Sequence, residues 1–137
     1  MAKKAVKINL PTGKPSRLLP IGCQLVCANT SVKKVKVFAV KGIQGSKRRT
    51  LSGGVGSIVG VTVKKGPEDM KHKMMSALVI RQKYPYTRFN HGKICFEDNA
   101  VVLLDEKNAI RKGVIRGVVA REVISNPKYA EIGAKLA

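Results

Sequence analysis

The chain has no carboxylate before Glu68, although the 67 residues that precede it hold fourteen lysines and arginines between Lys3 and Lys65. A segment with that much positive charge and no internal counter-ion repels itself when it compacts. Its stable setting is therefore a surface that supplies the negative charge, and nucleic acid is the leading candidate. The sequence also lacks an apolar run long enough to cross a bilayer and lacks the hydrophobic stretch of a secretion signal. No basic amphipathic helix is legible. Met1-Ala2-Lys3-Lys4 is without the glycine that myristoylation needs, and Ala134-Lys135-Leu136-Ala137 is without a prenylatable cysteine. These absences lead to the expectation of a soluble, cytoplasmic protein with no membrane partner.

Catalytic equipment is missing too. Gly54-Val55-Gly56 begins a GxGxxG pattern, but Val59 stands where its last glycine belongs, and no Gly-Lys is followed by serine or threonine. No serine sits in a nucleophile elbow, and His72 and His91 have no carboxylate immediately beside them to orient an imidazole. Glu97 and Asp98, if on a strand, point to opposite sides of it and cannot converge as an acid and base. The three cysteines, Cys23, Cys27 and Cys95, fall in apolar, strand-like settings rather than as close pairs at turns. The reading is buried free thiols, not a zinc site completed by His72 or His91, and not disulfides. Neither an enzyme nor a bound metal or cofactor is expected.

What the sequence does contain is a folded, basic protein. Of its 137 residues 44% are hydrophobic, as in a globular domain, and one domain of this length buries roughly two thirds of its unfolded surface. Charge is uneven: residues after Lys65 carry thirteen cations against eight carboxylates, so most of the net +19 sits in the first half. With a pI near 10.3, counterion release from phosphates can supply most of the binding energy to a polyanion.

The pattern is β almost throughout. Residues 1–20, with Pro11, Pro15 and Pro20, read as a basic extended arm with one short strand at Ala5 to Leu10. Strands are predicted over Gln24 to Ala28, Lys33 to Lys41, Ser57 to Lys65, Ser76 to Gln82, Lys93 to Phe96, Ala100 to Leu104 and Val114 to Val119. Val59, Val61 and Val63 share one face, and the unbroken apolar run Ala100 to Leu104 predicts burial on both sides. Short strands at near-regular spacing with glycine-rich connectors argue for a small closed barrel in 21–120. Helix is expected only in 121–137, around Arg121 to Ser125 and again from Pro127, with Asn126 as cap.

Three connectors concentrate charge. Gly42-Ile43-Gln44-Gly45 spells a GxxG, but its flanks are β-patterned where a KH domain has helices, so a basic hairpin tip is the better reading. Lys64 to Lys73 follows, then Lys83 to Gly92, where Tyr84, Tyr86 and Phe89 alternate with Lys83, Pro85 and Arg88. Those rings either stack on unpaired bases or pack on each other. Candidate nucleic-acid contacts are Lys3, Lys4 and Arg17 in the arm; Lys33 and Lys34; Lys47, Arg48 and Arg49; Lys64, Lys65, Lys71 and Lys73; and Arg81, Lys83 and Arg88. Late in the chain, acidic and apolar residues return. There Arg111, Lys112, Arg116, Tyr129 and Leu136 are candidates for a protein partner.

Ala77-Leu78-Val79-Ile80-Arg81, a loop to His91-Gly92, and Phe96-Glu97-Asp98-Asn99-Ala100-Val101-Val102-Leu103 closely resemble the signature of the universal large-subunit ribosomal protein family numbered fourteen. Val40 to Ile43, Gly54 to Gly56, Val61 to Gly66 and Gly117 to Glu122 match as well, so the resemblance covers about residues 20–137. The Val61 to Gly66 and Ala77 to Gln82 stretches are similar to the eukaryotic or archaeal branch. The chain departs from the pattern at His91, at the short interval from Gly92 to Phe96, at the turn Asn29 to Lys33, and at Ser57.

The resemblance implies a five-stranded barrel with a projecting β-ribbon and small C-terminal helices. It implies binding to large-subunit rRNA, reach to small-subunit rRNA in intersubunit bridges, and contact with neighbouring large-subunit proteins. It also implies a C-terminal region offered to an anti-association factor and, in a eukaryote, assembly in the nucleolus. A free-standing OB-like binder of single strands is the alternative, and it would need an aromatic platform on the sheet face.

Overall fold

The computed structural model of the chain describes residues 18–42, 45, 48, 50–88, 92–130, 132 and 135–137. The arm up to Arg17, with its expected strand at Ala5 to Leu10, lies outside them. In chain order the strands are β1 (Leu19–Pro20), β2 (Gln24–Cys27), β3 (Lys34–Val40), β4 (Ser52–Gly53), β5 (Ile58–Lys65), β6 (Met74–Arg81), β7 (Tyr86–Thr87), β8 (Lys93–Ile94), β9 (Ala100–Leu104) and β10 (Val118–Val119). Two 3-10 turns follow, η1 (Arg121–Ser125) and η2 (Pro127–Tyr129), and then β11 (Lys135–Leu136).

Five strands close into a barrel in the order β2-β3-β5-β6-β9, as the all-β reading predicts. Alternation decides what faces inward: Leu25, Val35, Val37, Val59, Val61, Val63, Ala77, Val79, Val101 and Leu103 fill the interior. Each valine or leucine among them contributes roughly 1.5–3 kcal/mol of transfer free energy against the entropy of folding. The other face of β6 and β9 is buried as well. Leu78, Ile80, Ala100, Val102 and Leu104 form a second core with Tyr86, Val119, Ala120, Val123 and Tyr129. This is why β9 is an unbroken apolar run: the ribbon and the C-terminal segment lie over its outer wall.

Three register shifts bend the strands enough for so few of them to close. On β3, Phe38 is the extra residue between the Val37–Val61 and Ala39–Gly60 pairs, and it lies outward across Gly60. A Cβ at residue 60 would stand 2.9 Å from the tip of the Phe38 ring, which would have to shift to admit it. On β5, Lys64 is extra between the pairs Lys34–Lys65 and Val35–Val63; on β6, Ile80 is extra between Val79–Val101 and Arg81–Ala100.

The ring is closed by a short parallel contact of β2 with β9, where Val26 donates to Asn99 O at 3.0 Å and Ala28 to Val101 O at 2.9 Å. Asn29 then extends the seam with its side chain. Its Oδ1 accepts from Leu103 N at 3.0 Å and its Nδ2 donates to Leu103 O at 3.2 Å and Arg111 O at 3.3 Å, so the buried amide acts as one more peptide of the ladder.

Several sequence expectations are corrected. The late helices are 3-10 turns rather than α-helices, although Asn126 Oδ1 does accept from Lys128 N at 3.1 Å as a cap. Both turns are too short to propagate α-helical bonding and are held by packing instead. Cys95 is exposed and Cys23 half-buried, so of the three thiols Cys27 alone is buried, because the chain leaves β8 after Ile94. For the same reason Glu97 and Asp98 lie in a bend, not on a strand. The expected strand from Val114 shrinks to Val118–Val119, since Arg116 N is drawn away to Ala28 O at 2.9 Å. β1 was not anticipated; it pairs with β4 and places Leu19 and Pro20, read as the end of the arm, against the barrel.

The seam generates a stability prediction. Asn29→Ala leaves Leu103 N without its partner in a dry setting, while Leu103 O keeps the bond from Arg111 N at 3.1 Å, and should destabilise the fold by about 1–3 kcal/mol. The expected result is a lower urea midpoint with an unchanged slope.

Candidate nucleic-acid interface

The cations divide into two populations by what they touch. At one end of the barrel, where β3 begins and β5 turns into β6, Lys33, Lys34, Lys64, Lys65, Lys71 and Lys73 are all exposed. Backbone bonds hold them together: Lys33 N donates to Lys65 O at 2.8 Å, His72 N to Val63 O at 3.0 Å and Val63 N to Lys73 O at 3.1 Å. Lys71 lies 3.8 Å from Glu68, an exposed pair worth little. Lys36 is exposed one alternation along from Lys34 and extends the patch up β3. It was not among the sequence candidates, though the period of two that exposes Lys34 exposes it equally. Arg48 is exposed on its loop, while its expected companions Lys47 and Arg49, like Lys3, Lys4 and Arg17, lie outside the described residues.

The second population is bound to carboxylates and carbonyls of the protein itself. Arg81 is 11% exposed at its side chain, lies 3.1 Å from Asp98 Oδ1, and donates to Arg116 O and Val118 O. Gly117 turns at φ +82° to make room for that guanidinium. Arg88 forks onto Glu122, with Nε to Oε1 at 2.6 Å and Nη2 to Oε2 at 3.2 Å, and reaches Ala137 O at 2.6 Å. Tyr86, buried, donates its hydroxyl to Glu122 Oε2 at 2.8 Å. Arg111 pairs with Asp105 at 2.9 Å, and Arg116 Nη2 donates to Cys27 O and Thr30 O, both at 3.0 Å. These groups hold loops to the barrel. Their planar forks suit carboxylates and carbonyls that lysine would bind less well.

Among the candidates for base stacking, Tyr84 is 58% exposed, Tyr86 is buried in the second core, and Phe89 lies outside the described residues. Lys83 is exposed, with its backbone N–H anchored on Asn99 Oδ1 at 2.8 Å. Of the partner candidates, Tyr129 is buried with its hydroxyl on Asn108 O at 3.1 Å, so it serves the second core and is not offered to a partner. Leu136 is 44% exposed on β11, and Lys112 is exposed. His72 is exposed at φ 64°, and no group of three histidine, cysteine or acidic side chains among the described residues could hold a metal ion. Burial pushes the Cys23 thiol up, keeping it protonated.

One end of the barrel thus presents outward lysines, while Arg81, Arg88, Arg111 and Arg116 are tied to carboxylates and carbonyls. Residues 19–136 match the family described as Ribosomal protein L14p/L23e. The chain belongs to this family. Its archaeal relatives carry the name Large ribosomal subunit protein uL14: that of Methanoregula boonei is 44% identical over 88% of this chain and 91% of its own length, and that of Thermoplasma volcanium 40% identical over 89% and 94%. The protein of that name from Methanococcus vannielii is 44% identical over 77% of this chain and 81% of its own. The L14p/L23e family is structural and non-enzymatic.

In this family member the Tyr86–Arg88–Glu122 cluster joins the ribbon to η1. Burial alone would raise the Glu122 pKa, but donations from Arg88, its own backbone N–H and Tyr86 outweigh it, and the carboxyl sits below its ordinary 4.5. Burial and the same carboxylate push the Tyr86 phenol up, so it remains a donor. A carboxylate whose folded-state pKa is depressed stabilises the fold above its unfolded value and loses that contribution as pH falls through the folded one. Glu122→Gln should therefore lower the unfolding temperature at pH 7 and flatten the decline of stability below 4.5. Thermal unfolding followed from neutral pH to about pH 3 checks both.

Proposed function

We propose that this chain is a structural constituent of the large ribosomal subunit, residing in cytoplasmic ribosomes, and that it binds large-subunit rRNA through the outward lysines. The carrying observation is the segregation just described: Asp98, Glu122 and Asp105 take Arg81, Arg88 and Arg111, while Lys33, Lys34, Lys36, Lys64, Lys65 and Lys73 are exposed and have no ion pair among the described residues. Cations arranged this way position a protein on phosphates without reading bases. The names of the archaeal relatives support the same assignment.

The finer reading rests on family resemblance. The protein contacts small-subunit rRNA at intersubunit bridges and packs against neighbouring large-subunit proteins. Its C-terminal region, with Lys112 and Leu136 at the surface, is offered to an anti-association factor, and in a eukaryote it joins the particle in the nucleolus. The basic arm over 1–20 and the loop around Arg48 add phosphate contacts to the barrel of 21–120. Against a free-standing single-strand binder stands the covering of the outer face of β6 and β9 by the C-terminal segment, where an aromatic platform would have to lie.

The protein should co-sediment with large ribosomal subunits in a gradient at moderate salt. Isolated, it should bind RNA with little sequence preference and a salt slope close to one unit of log K per phosphate neutralised. Affinity that stayed flat from low to physiological salt, or sedimentation away from subunits, would reject the reading.

A further inference from the structure

The bulge on β5 does more than bend a strand. Lys34 and Lys65 are direct Cα partners across the β3–β5 ladder, where neighbouring side chains of one face stand close and like charges repel. In an unbulged ladder Lys64 would pair with Lys34 and Lys65 would follow Val63 to the interior by alternation; with the bulge, both Lys64 and Lys65 are turned out beside Lys34. Lys33 adds a fourth cation, its backbone bonded to Lys65 O at 2.8 Å. No ion pair reaches any of the four among the described residues, and the nearest carboxylates in sequence, Glu68 and Asp69, are exposed in the following turn, with Glu68 on Lys71. A barrel with nothing to bind here would gain stability from an acidic or neutral residue opposite Lys34.

We infer that the bulge of β5 with the start of β3 is a dedicated phosphate clamp, in which Lys34, Lys64 and Lys65 close on a phosphodiester of the RNA backbone. The inference rests on the rRNA reading and deepens it: a particular rigid point of the barrel carries a disproportionate share of the affinity, rather than a diffuse positive surface. The ligand satisfies the repulsion that the fold leaves open.

The test compares Lys34→Gln/Lys65→Gln with Lys93→Gln/Lys135→Gln, which loses the same charge from exposed positions on β8 and β11. In low salt without added anion, the first variant should unfold at a higher temperature than wild type, and the control should change less. Inorganic phosphate should then stabilise wild type more than the first variant. With a short RNA duplex, the first variant should lose about tenfold in affinity at physiological salt and at least about one unit of salt slope, well beyond the control. Equal behaviour of the two variants would overturn the clamp and leave these lysines as solvated charge. A phosphate effect without any difference in RNA binding would overturn it too, by making the site one for free anions. Should wild type bind no RNA at any salt, the rRNA reading itself fails, a result distinct from failure of the clamp alone.

Discussion

The fold depends on closing a ring of five strands with a seam that has little ladder of its own. β2 meets β9 in parallel over two residue pairs, and parallel pairing is the less stable kind. The deficit is made up by side chains that imitate or extend the backbone. Asn29 supplies a further rung to Leu103, and Arg116 collects the carbonyls of Cys27 and Thr30 at the point where β2 runs out. Were the seam to open, β2 and β9 would become edges, the interior valines would be wetted, and the outer wall that carries the second core would lose its curvature.

That second core explains how a strongly cationic chain spends its few carboxylates. Loops draped over an outer wall need fixed attachment points, and Asp98, Asp105 and Glu122 provide them for Arg81, Arg111 and Arg88. Arginine is suited to this because its charge survives partial burial and its fork bonds a carboxylate and a carbonyl at once. Lysine, a strongly hydrated point charge on a flexible stem, is left at the surface. The two kinds of cation are thus separated by chemistry before any partner is considered.

Much of this was legible in the sequence, for identifiable reasons. Strands with one face inward announce themselves by period two, as Val59, Val61 and Val63 do, and a strand buried on both faces by its unbroken run, as Ala100 to Leu104 does. Charge asymmetry pointed to a polyanion without any fold. Pairs of distant residues were not legible. Arg81 and Arg88 read as free cations because Asp98 and Glu122 lie 17 and 34 residues away in the chain, and Tyr129 read as a surface ring because nothing local shows that η2 folds onto β9's outer wall. Two-residue strands such as β1 and β11 leave no periodicity at all.

The bulges show how one geometric need can set both shape and chemistry. A barrel this small requires local excess twist, and each extra residue inserted to obtain it must point somewhere. Ile80 points into the second core, Phe38 lies across Gly60, and Lys64 faces solvent beside Lys34 and Lys65. Ile80 is absorbed by packing, while Phe38 is covered only in part and stays 45% exposed. At the third bulge, the chain accepts a concentration of like charge on its stiffest part, where the side chains cannot retreat by moving the backbone. A cost of that kind, placed on a rigid ladder rather than on a loop that could relax it, is offset when an anion occupies the position. The same rigidity lowers the entropy lost on binding.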